Sequence, residues 1–285
     1  MNDLSFPTKP KWVKGAKSSQ VNFLPKATNA LNNPSGASGA LAITPFVSSA
    51  STLKFGAHFP EEYFLGSHKS EFIASLAGST SCASHGYRAF CELCESLPLT
   101  SSDRALCLTV LEALFNINSN WFLMPTSSTG KYHGGMLSAQ NTIGGIYQHS
   151  LALCKLATPV LKRYQEVIES LIGSDSLVSV PGAIAPSFDF PSQLLSCCIL
   201  HDIGKMNLSQ DTIYSVANHG EVAAEFIAGL GLRLGASSAL LYAVSNHMYG
   251  WKAINVFNHI VSQGASMELV LLFMLCECDF FGSQG

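Results

Sequence analysis

The sequence brings a histidine and an aspartate side by side at the end of an apolar segment. His201 and Asp202 follow the run LLSCCIL, and the segment then breaks at Gly204 and Lys205. Burying an ionised carboxylate without a partner is costly, so such a group is usually protonated, paired with a cation or bound to a metal. We therefore expect a metal ion or a charged side chain to face Asp202.

Four further residues of the same chemical types lie on apolar segments or at their ends. They are His149 in IYQHSLAL, His219 in HGEVAAEF, His247 in YAVSNH and Asp279 in LCECDFFG. Any one of them alone is most often a hydrogen-bonded core residue. Together with His201 and Asp202, they supply the imidazole and carboxylate groups that suit Mn, Fe, Zn and, through the carboxylates, Mg. The set as a whole predicts a site for divalent metal.

The order and the local sequence of these residues resemble the HD superfamily of metal-dependent phosphohydrolases. The family pattern is a helical histidine, an adjacent His-Asp pair and a distant aspartate, as in His149, His201 with Asp202, and Asp279. The stretches GGIYQHSLAL and ILHDIGK are similar to the family's setting of these residues. The resemblance covers residues 121 to 283 and implies that the four residues hold one divalent ion.

Members of this family that hold two metals have two more histidines between the pair and the last aspartate. His219 and His247 occupy those places, so the resemblance implies a second ion that shares Asp202 with the first. It implies Mn, Fe or Mg, with Ni or Zn as alternatives. A bound cation lowers the pKa of its water from near 16 to about 7, which makes hydroxide available for attack on phosphorus. Asp202 is therefore a predicted catalytic residue.

Four residues near this predicted centre are candidates for contacts with a substrate. Lys205 could stabilise phosphoryl oxygens, the alternative being a solvated lysine at a helix end. The stretch PTSSTGKYH resembles a segment of exonuclease-like and relaxase-type members that precedes the glycine pair. This resemblance places His133 near metal or substrate as a further catalytic residue, the alternative being an ordinary loop histidine. It places Lys131 against phosphate and Tyr132 against a base or sugar.

The elements that must position these residues are predicted to be helices. Apolar periodicity without strand-like alternation indicates an all-α fold, an HD-type helical bundle. The helical segments are expected at 61–76, 86–97, 102–122, 146–156, 194–200, 219–230, 237–247 and 266–281. Ser102 is expected to cap the third segment, and Pro159 is expected to end or kink the fourth.

Composition divides the chain into three regions. Residues 1–60 are rich in Ser, Asn, Ala, Gly and Pro and are expected to form an extended or partly disordered arm. Residues 61–120 form a helical N-terminal region, and residues 121–285 form the phosphohydrolase domain. The irregular stretches 125–145 and 174–190 are long for a helical protein, which is typical of substrate-binding loops.

The net charge and the hydropathy pattern argue against two classes of protein, those that bind nucleic acid in general and those that span a membrane. A net charge of -3 indicates no general affinity for phosphate backbones. Because no apolar run approaches the roughly 18–20 residues that span a bilayer, we expect a soluble, cytoplasmic protein without membrane contact. The nine cysteines lie mostly in apolar segments and are expected to be reduced core thiols. The oligomeric state is left open.

Several functions are compatible with these residues. The main expectation is a divalent-metal hydrolase that cleaves a phosphoester or phosphodiester of a nucleotide or nucleic acid. A nuclease or relaxase-like protein of a mobile element, acting on DNA or RNA, is the first alternative, although no basic patch supports it. A non-catalytic metal- or nucleotide-binding regulatory module is the second. A cyclic-dinucleotide phosphodiesterase is disfavoured because MYGWK follows His247 in place of that branch's signatures.

Overall fold

The computed structural model describes an all-α protein, as predicted. It describes residues 54–59, 80–127, 131, 133–135, 137–173, 188–205, 218–231, 236–248 and 266–284. Within these ranges there are seven α-helices and no strand beyond an isolated bridge between His58 and Thr142. The helices are α1 (Thr80–Ser96), α2 (Ser101–Asn118), α3 (Gly145–Gly173), α4 (Phe190–Leu200), α5 (His219–Gly231), α6 (Ser238–Asn246) and α7 (Met267–Gly282).

Short 3-10 turns connect some of these helices. They span Ser119–Leu123 after α2, Ala139–Asn141 before α3, and Ile203–Lys205 after α4. The helix predicted at 61–76, most of the arm predicted at 1–60 and most of the loop predicted at 174–190 lie outside the described residues. The predicted division into three regions therefore stays a prediction.

One local expectation differs from the structure, and one of the two outcomes expected at Pro159 is excluded. Thr100 caps α2 in place of Ser102, because the Thr100 hydroxyl accepts a hydrogen bond from the amide of Asp103 and Ser102 already lies in the first turn. Helix α3 also continues for 29 residues through Pro159. The proline removes one main-chain donor. Buried residues on both sides of it, among them Leu153 and Val160, keep the helix packed against the core.

Helix α4 lies at the centre of the fold. All of its residues except Pro191 are buried, and it packs against α2, α3, α6 and α7. A helix that is apolar all round is stable only when neighbours cover every face. The chain segment that follows α4, beginning with His201, is therefore delivered into the interior of the protein.

A buried polar network joins the first turns of α2, α4 and α6. Asp103 accepts hydrogen bonds from Thr100 Oγ1 at 2.8 Å, from Gln193 Nε2 at 2.6 Å and from the hydroxyl of Ser192. Gln193 Oε1 in turn accepts from the hydroxyl of Ser237, which caps α6. The network fixes the starts of the two helices whose other ends carry His201 and His247.

Two further properties of the described residues bear on the sequence-based expectations. No described helix is both long enough and apolar enough to cross a membrane. All nine cysteines are free thiols, and every one except the partly exposed Cys91 is buried.

Candidate metal centre

All six residues of the predicted ligand set meet in the interior of the protein. None of them is more than 4% exposed. The centre gathers His149 from the second turn of α3, His201 from the end of α4, Asp202 just after it, His219 from the start of α5, His247 from the end of α6 and Asp279 from α7. The helices therefore bring together residues that are far apart in the sequence.

One side of the centre contains His149, His201 and both aspartates. Asp202 Oδ2 lies 3.3 Å from His201 Nε2 and 3.8 Å from His149 Nε2. Asp279 Oδ1 lies 3.2 Å from His149 Nε2. The donor atoms of His149, His201 and Asp279 all lie within 4.8 Å of one another, so these residues could hold a metal ion.

The other side of the centre contains the two additional histidines. Asp202 Oδ1 lies 3.3 Å from His219 Nε2 and 3.8 Å from His247 Nε2. The Nε2 atoms of His219 and His247 are 3.2 Å apart. His201, Asp202 and His247 form a second group whose donor atoms all lie within 4.8 Å. Asp202 thus presents one carboxylate oxygen to each side.

In two of the histidines, a hydrogen bond at Nδ1 favours the tautomer that binds metals. His201 Nδ1 lies 3.2 Å from the Cys198 carbonyl oxygen, and His247 Nδ1 lies 2.7 Å from that of Val244. A carbonyl oxygen can only accept, so the neutral rings carry their protons on Nδ1. Their Nε2 lone pairs then face the interior of the centre, as in metal-ligating histidines, whose other nitrogen donates to an acceptor.

The buried Nε2 atoms of His149 and His201 have no hydrogen-bond partner among the described residues. Asp279 Oδ1 lies 3.2 Å from His149 Nε2 and Asp202 Oδ2 lies 3.3 Å from His201 Nε2, and both oxygens are acceptors when ionised. Lone pairs that face one another in a buried site are unfavourable unless a proton or a cation lies between them. The residues present therefore fit a divalent cation, both in donor type and in arrangement.

Both aspartates of the centre favour the ionised form. Burial acts to raise the pKa of Asp202, but His201 and Lys205 outweigh it and hold the pKa well below its usual range. Burial is likewise outweighed at Asp279, where His149 lowers the pKa of the carboxyl. Two ionised carboxylates in one buried centre provide the negative charge that a divalent cation requires.

The histidines respond to burial and to these carboxylates in different ways. Burial lowers the pKa of His149, and it lowers the pKa of His247 to about 3. At His201 burial is outweighed by the adjacent Asp202, which raises the pKa of the ring. His149 and His247 are therefore neutral near pH 7, which is the form that binds metals.

Two glycines allow the helices of the centre to approach closely. A Cβ on Gly204 would lie 2.1 Å from the His219 carbonyl oxygen, and a Cβ on Gly220 would lie 2.7 Å from that of Val244. Because any larger residue would push these segments apart, the glycines let the turn after α4 and the end of α6 pack against the start of α5. This packing brings His219 to both Asp202 and His247.

Main-chain contacts to the centre come from residues whose local sequence does not distinguish them from their neighbours. The buried Trp121 donates from Nε1 to the carbonyl oxygen of Asp202 at 3.2 Å. The carbonyl oxygen of Thr126 accepts from Lys205 Nζ at 3.2 Å. In the sequence, Trp121 resembles any other apolar core residue, and Thr126 is one of several hydroxyl residues in its loop.

Of the four residues predicted to contact substrate, Lys205 and His133 lie beside the centre in the structure. Lys205 Nζ lies 2.6 Å from Asp202 Oδ2. The His133 ring lies 4.7 Å from the His149 ring, centroid to centroid. Burial, followed by the charge of Lys205, lowers the pKa of His133 to about 3. Lys131 is exposed, and Tyr132 lies outside the described residues.

Comparison with known families gives a match to part of the chain. Residues 146–265 match the family model of the HD domain. This span contains five of the six residues of the centre and ends before Asp279. It also begins after the upstream stretch that contains His133. Neither a curated protein nor a solved structure matches the chain.

Proposed function

The chain belongs to the HD superfamily of metal-dependent phosphohydrolases through residues 146–265, and from this premise we propose that it hydrolyses a phosphoester or phosphodiester of a nucleotide or nucleic acid. The observation that carries the proposal is the buried centre, in which four imidazole Nε2 atoms surround two ionised aspartates. A centre of this kind has the donors and the charge for divalent cations, which phosphoryl-transfer sites commonly use.

We assign the ligands of the proposed ions from the two sides of the centre. One ion would be held by His149, His201, Asp202 and Asp279, and a second by Asp202, His219 and His247. When bound, a divalent cation makes a water molecule acidic enough to supply a nucleophile near neutral pH and offsets the charge of the phosphoester. Mn, Fe and Mg are the ions we propose, with Ni or Zn as alternatives, because nitrogen and oxygen donors accept all of them.

Lys205 would bind the phosphoryl group of the substrate. Its side chain is 13% exposed, so the ammonium group lies at the edge of the buried centre. Its contacts with Asp202 and with the Thr126 carbonyl oxygen hold it there. An ammonium in this position can attract a phosphoryl oxygen to the centre and stabilise the charge that develops on it during the reaction.

His133 is our candidate for a second group that acts on the substrate. Its Nδ1 is buried and has no hydrogen-bond partner among the described residues. Its backbone has a φ of 59°, an uncommon conformation for a residue other than glycine, and such strained positions cluster at functional sites. A neutral imidazole can both donate and accept, so His133 can bind a substrate oxygen or orient the attacking water. Lys131 and Tyr132 would contact phosphate and base or sugar.

A nuclease or relaxase-like activity is the second candidate. The position of His133 beside His149 favours this activity. His133 lies in the stretch that resembles exonuclease-like and relaxase-type members. The net charge of -3 does not favour nucleic acid in general. A small nucleotide therefore remains the preferred substrate class.

A substrate panel tests the proposal directly. The purified chain, treated with chelator and then supplied with Mn, would be assayed against nucleoside mono-, di- and triphosphates, cyclic dinucleotides, DNA and RNA. We expect release of phosphate or nucleotide from at least one class, and we expect Asp202→Ala to reduce it to background. The exposed Glu225→Ala on α5 is the matched control and should retain wild-type activity. Equal activity of Asp202→Ala and wild type would overturn the proposal.

A further inference from the structure

One buried side chain next to the centre has no part in the proposed ligand set or in the proposed substrate contacts. Gln140 lies in the 3-10 turn Ala139–Asn141 and is 5% exposed. Its main chain is fixed on both sides. The Ser138 hydroxyl accepts from the Gln140 amide at 3.2 Å, and the Gln140 carbonyl oxygen accepts from the Thr126 amide at 2.8 Å. The turn therefore holds the side chain in one place.

Hydrogen bonds also determine which end of the Gln140 amide faces His149. The amide Nε2 donates to the carbonyl oxygen of Gly282 at 2.6 Å, and a carbonyl oxygen can only accept. The amide oxygen Oε1 must therefore point the other way, where it lies 3.1 Å from His149 Nδ1. One side chain thus connects His149 in α3 to the end of α7, the helix that contains Asp279.

The amide oxygen in turn selects the tautomer of His149. Because Oε1 can only accept, the neutral ring must carry its proton on Nδ1, and Nε2 retains a lone pair. That lone pair faces Asp279 Oδ1 at 3.2 Å and Asp202 Oδ2 at 3.8 Å. Without an acceptor at Nδ1, the opposite tautomer would be favoured, since an Nε2–H could donate to Asp279. The proton would then occupy the position where a cation would bind.

We propose that Gln140 is a positioning residue, which keeps His149 open to a divalent cation by holding its proton on Nδ1. Partners of this kind orient metal-ligating histidines, and their loss typically weakens metal binding about 10- to 100-fold. The inference rests on the proposed function only in requiring that the centre binds a divalent cation. It does not depend on which phosphoester is the substrate.

Four variants separate the effect on the tautomer from general damage to the loop. Gln140→Met has a similar length and lacks the acceptor. Gln140→Glu keeps an acceptor for His149 and, when ionised, cannot donate to Gly282. Asn141→Leu is the matched control, because it removes a neighbouring buried amide that bonds to Ser127 and Gly135 of the same loop. Gln140→Leu is a second apolar replacement that lacks the acceptor, in case the methionine variant is unstable.

Two measurements on these variants test the inference. Two-bond 1H–15N correlation spectra of chelator-treated protein, with His149 assigned by substitution, report the tautomer. Calorimetric titration with Mn reports the affinity. We expect Gln140→Met to move the proton to Nε2 and to weaken Mn binding about 10- to 100-fold. We expect Gln140→Glu and Asn141→Leu to keep the proton on Nδ1 and to bind Mn within a few-fold of wild type.

The outcomes that contradict the inference are distinct from those that contradict the proposed function. Wild-type tautomer and Mn affinity in both apolar Gln140 variants would overturn the role of Gln140. An equal loss of affinity in Asn141→Leu, without a change of tautomer, would assign the effect to the loop and would also overturn it. Failure of the Mn-loaded wild type to hydrolyse any phosphoester would instead overturn the proposed function, while the titrations would still decide the role of Gln140.

Discussion

Replacing Asp103 with alanine would remove the acceptor that joins the starts of α2 and α4. Asp103 is 7% exposed and accepts from Thr100 Oγ1, Gln193 Nε2 and the Ser192 hydroxyl. The half-buried Thr100 can turn towards water when its partner is lost. Ser192 and Gln193 are buried, so their donors would remain without this acceptor in the interior. The cost of the substitution is therefore dominated by these two hydrogen bonds.

The magnitude follows from the two buried bonds. A hydrogen bond to a charged acceptor contributes about 1.5–3 kcal/mol net, so two of them contribute about 3–6 kcal/mol. The carboxylate itself is desolvated on folding, which offsets part of this sum. We therefore expect Asp103→Ala to reduce the free energy of unfolding by about 3–5 kcal/mol. We expect a smaller loss for Asp103→Asn, because its amide oxygen can still accept from Gln193.

Urea unfolding followed by circular dichroism measures the effect. Glu112→Ala is the matched control, since Glu112 is an exposed carboxylate on the same helix and its loss should change stability by no more than about 0.5 kcal/mol. All three variants should keep the wild-type slope of free energy against urea, because the surface exposed on unfolding is unchanged. A difference below about 1 kcal/mol between Asp103→Ala and Glu112→Ala would refute the reasoning.

Two further perturbations test the packing of the turn before α3 and the binding of Mn to the metal centre. Gly144 and Gly56 have φ values of 81° and 85°, so alanine should cost about 1–2 kcal/mol at either position. Of these two positions, only at Gly144 would the new Cβ also meet the Phe55 ring, at 2.1 Å. Gly144→Ala should therefore unfold at a clearly lower urea concentration than Gly56→Ala. Equal unfolding midpoints for the two variants would contradict the clash. Mn at 100 times its dissociation constant should stabilise the chelator-treated protein by about 2.7 kcal/mol for each occupied site in thermal unfolding. Asp279→Asn should show a much smaller gain at the same Mn concentration, and an equal gain would argue against Asp279 as a ligand.

The sequence was informative about the helices because each has a strong local signal. The helices predicted at 219–230, 237–247 and 266–281 are α5, α6 and α7 to within about one residue at each end. Their boundaries follow serine caps and apolar runs, such as Ser237 before α6 and Ser266 before α7. Where two neighbouring residues can both cap a helix, as Thr100 and Ser102 can, the local sequence does not identify the cap. The hydrogen bond that the Thr100 hydroxyl accepts from the Asp103 amide identifies Thr100 as the cap.

The convergence of the six charged and imidazole residues was predictable for a different reason. Each of them adjoins or lies within an apolar segment that must be buried, so each needs a partner in the interior, and the family pattern supplied their order. His133 was anticipated only through resemblance, and the structure adds its buried Nδ1 and its left-handed backbone. Pattern and burial together therefore predict which residues meet, although they do not give the distances between them.

The residues that support the centre could not be predicted in this way. Gln140 bonds to Gly282, which is 142 positions away, and Trp121 bonds to Asp202, which is 81 positions away. A glutamine in an irregular loop has the same local sequence signal whether it faces solvent or a buried imidazole, because loops lack the periodicity that marks a buried face. Its role depends on which carbonyl and which ring the folded helices bring within reach. The tautomer of His149 is thus determined by tertiary packing, and reversing it requires the loss of only one acceptor.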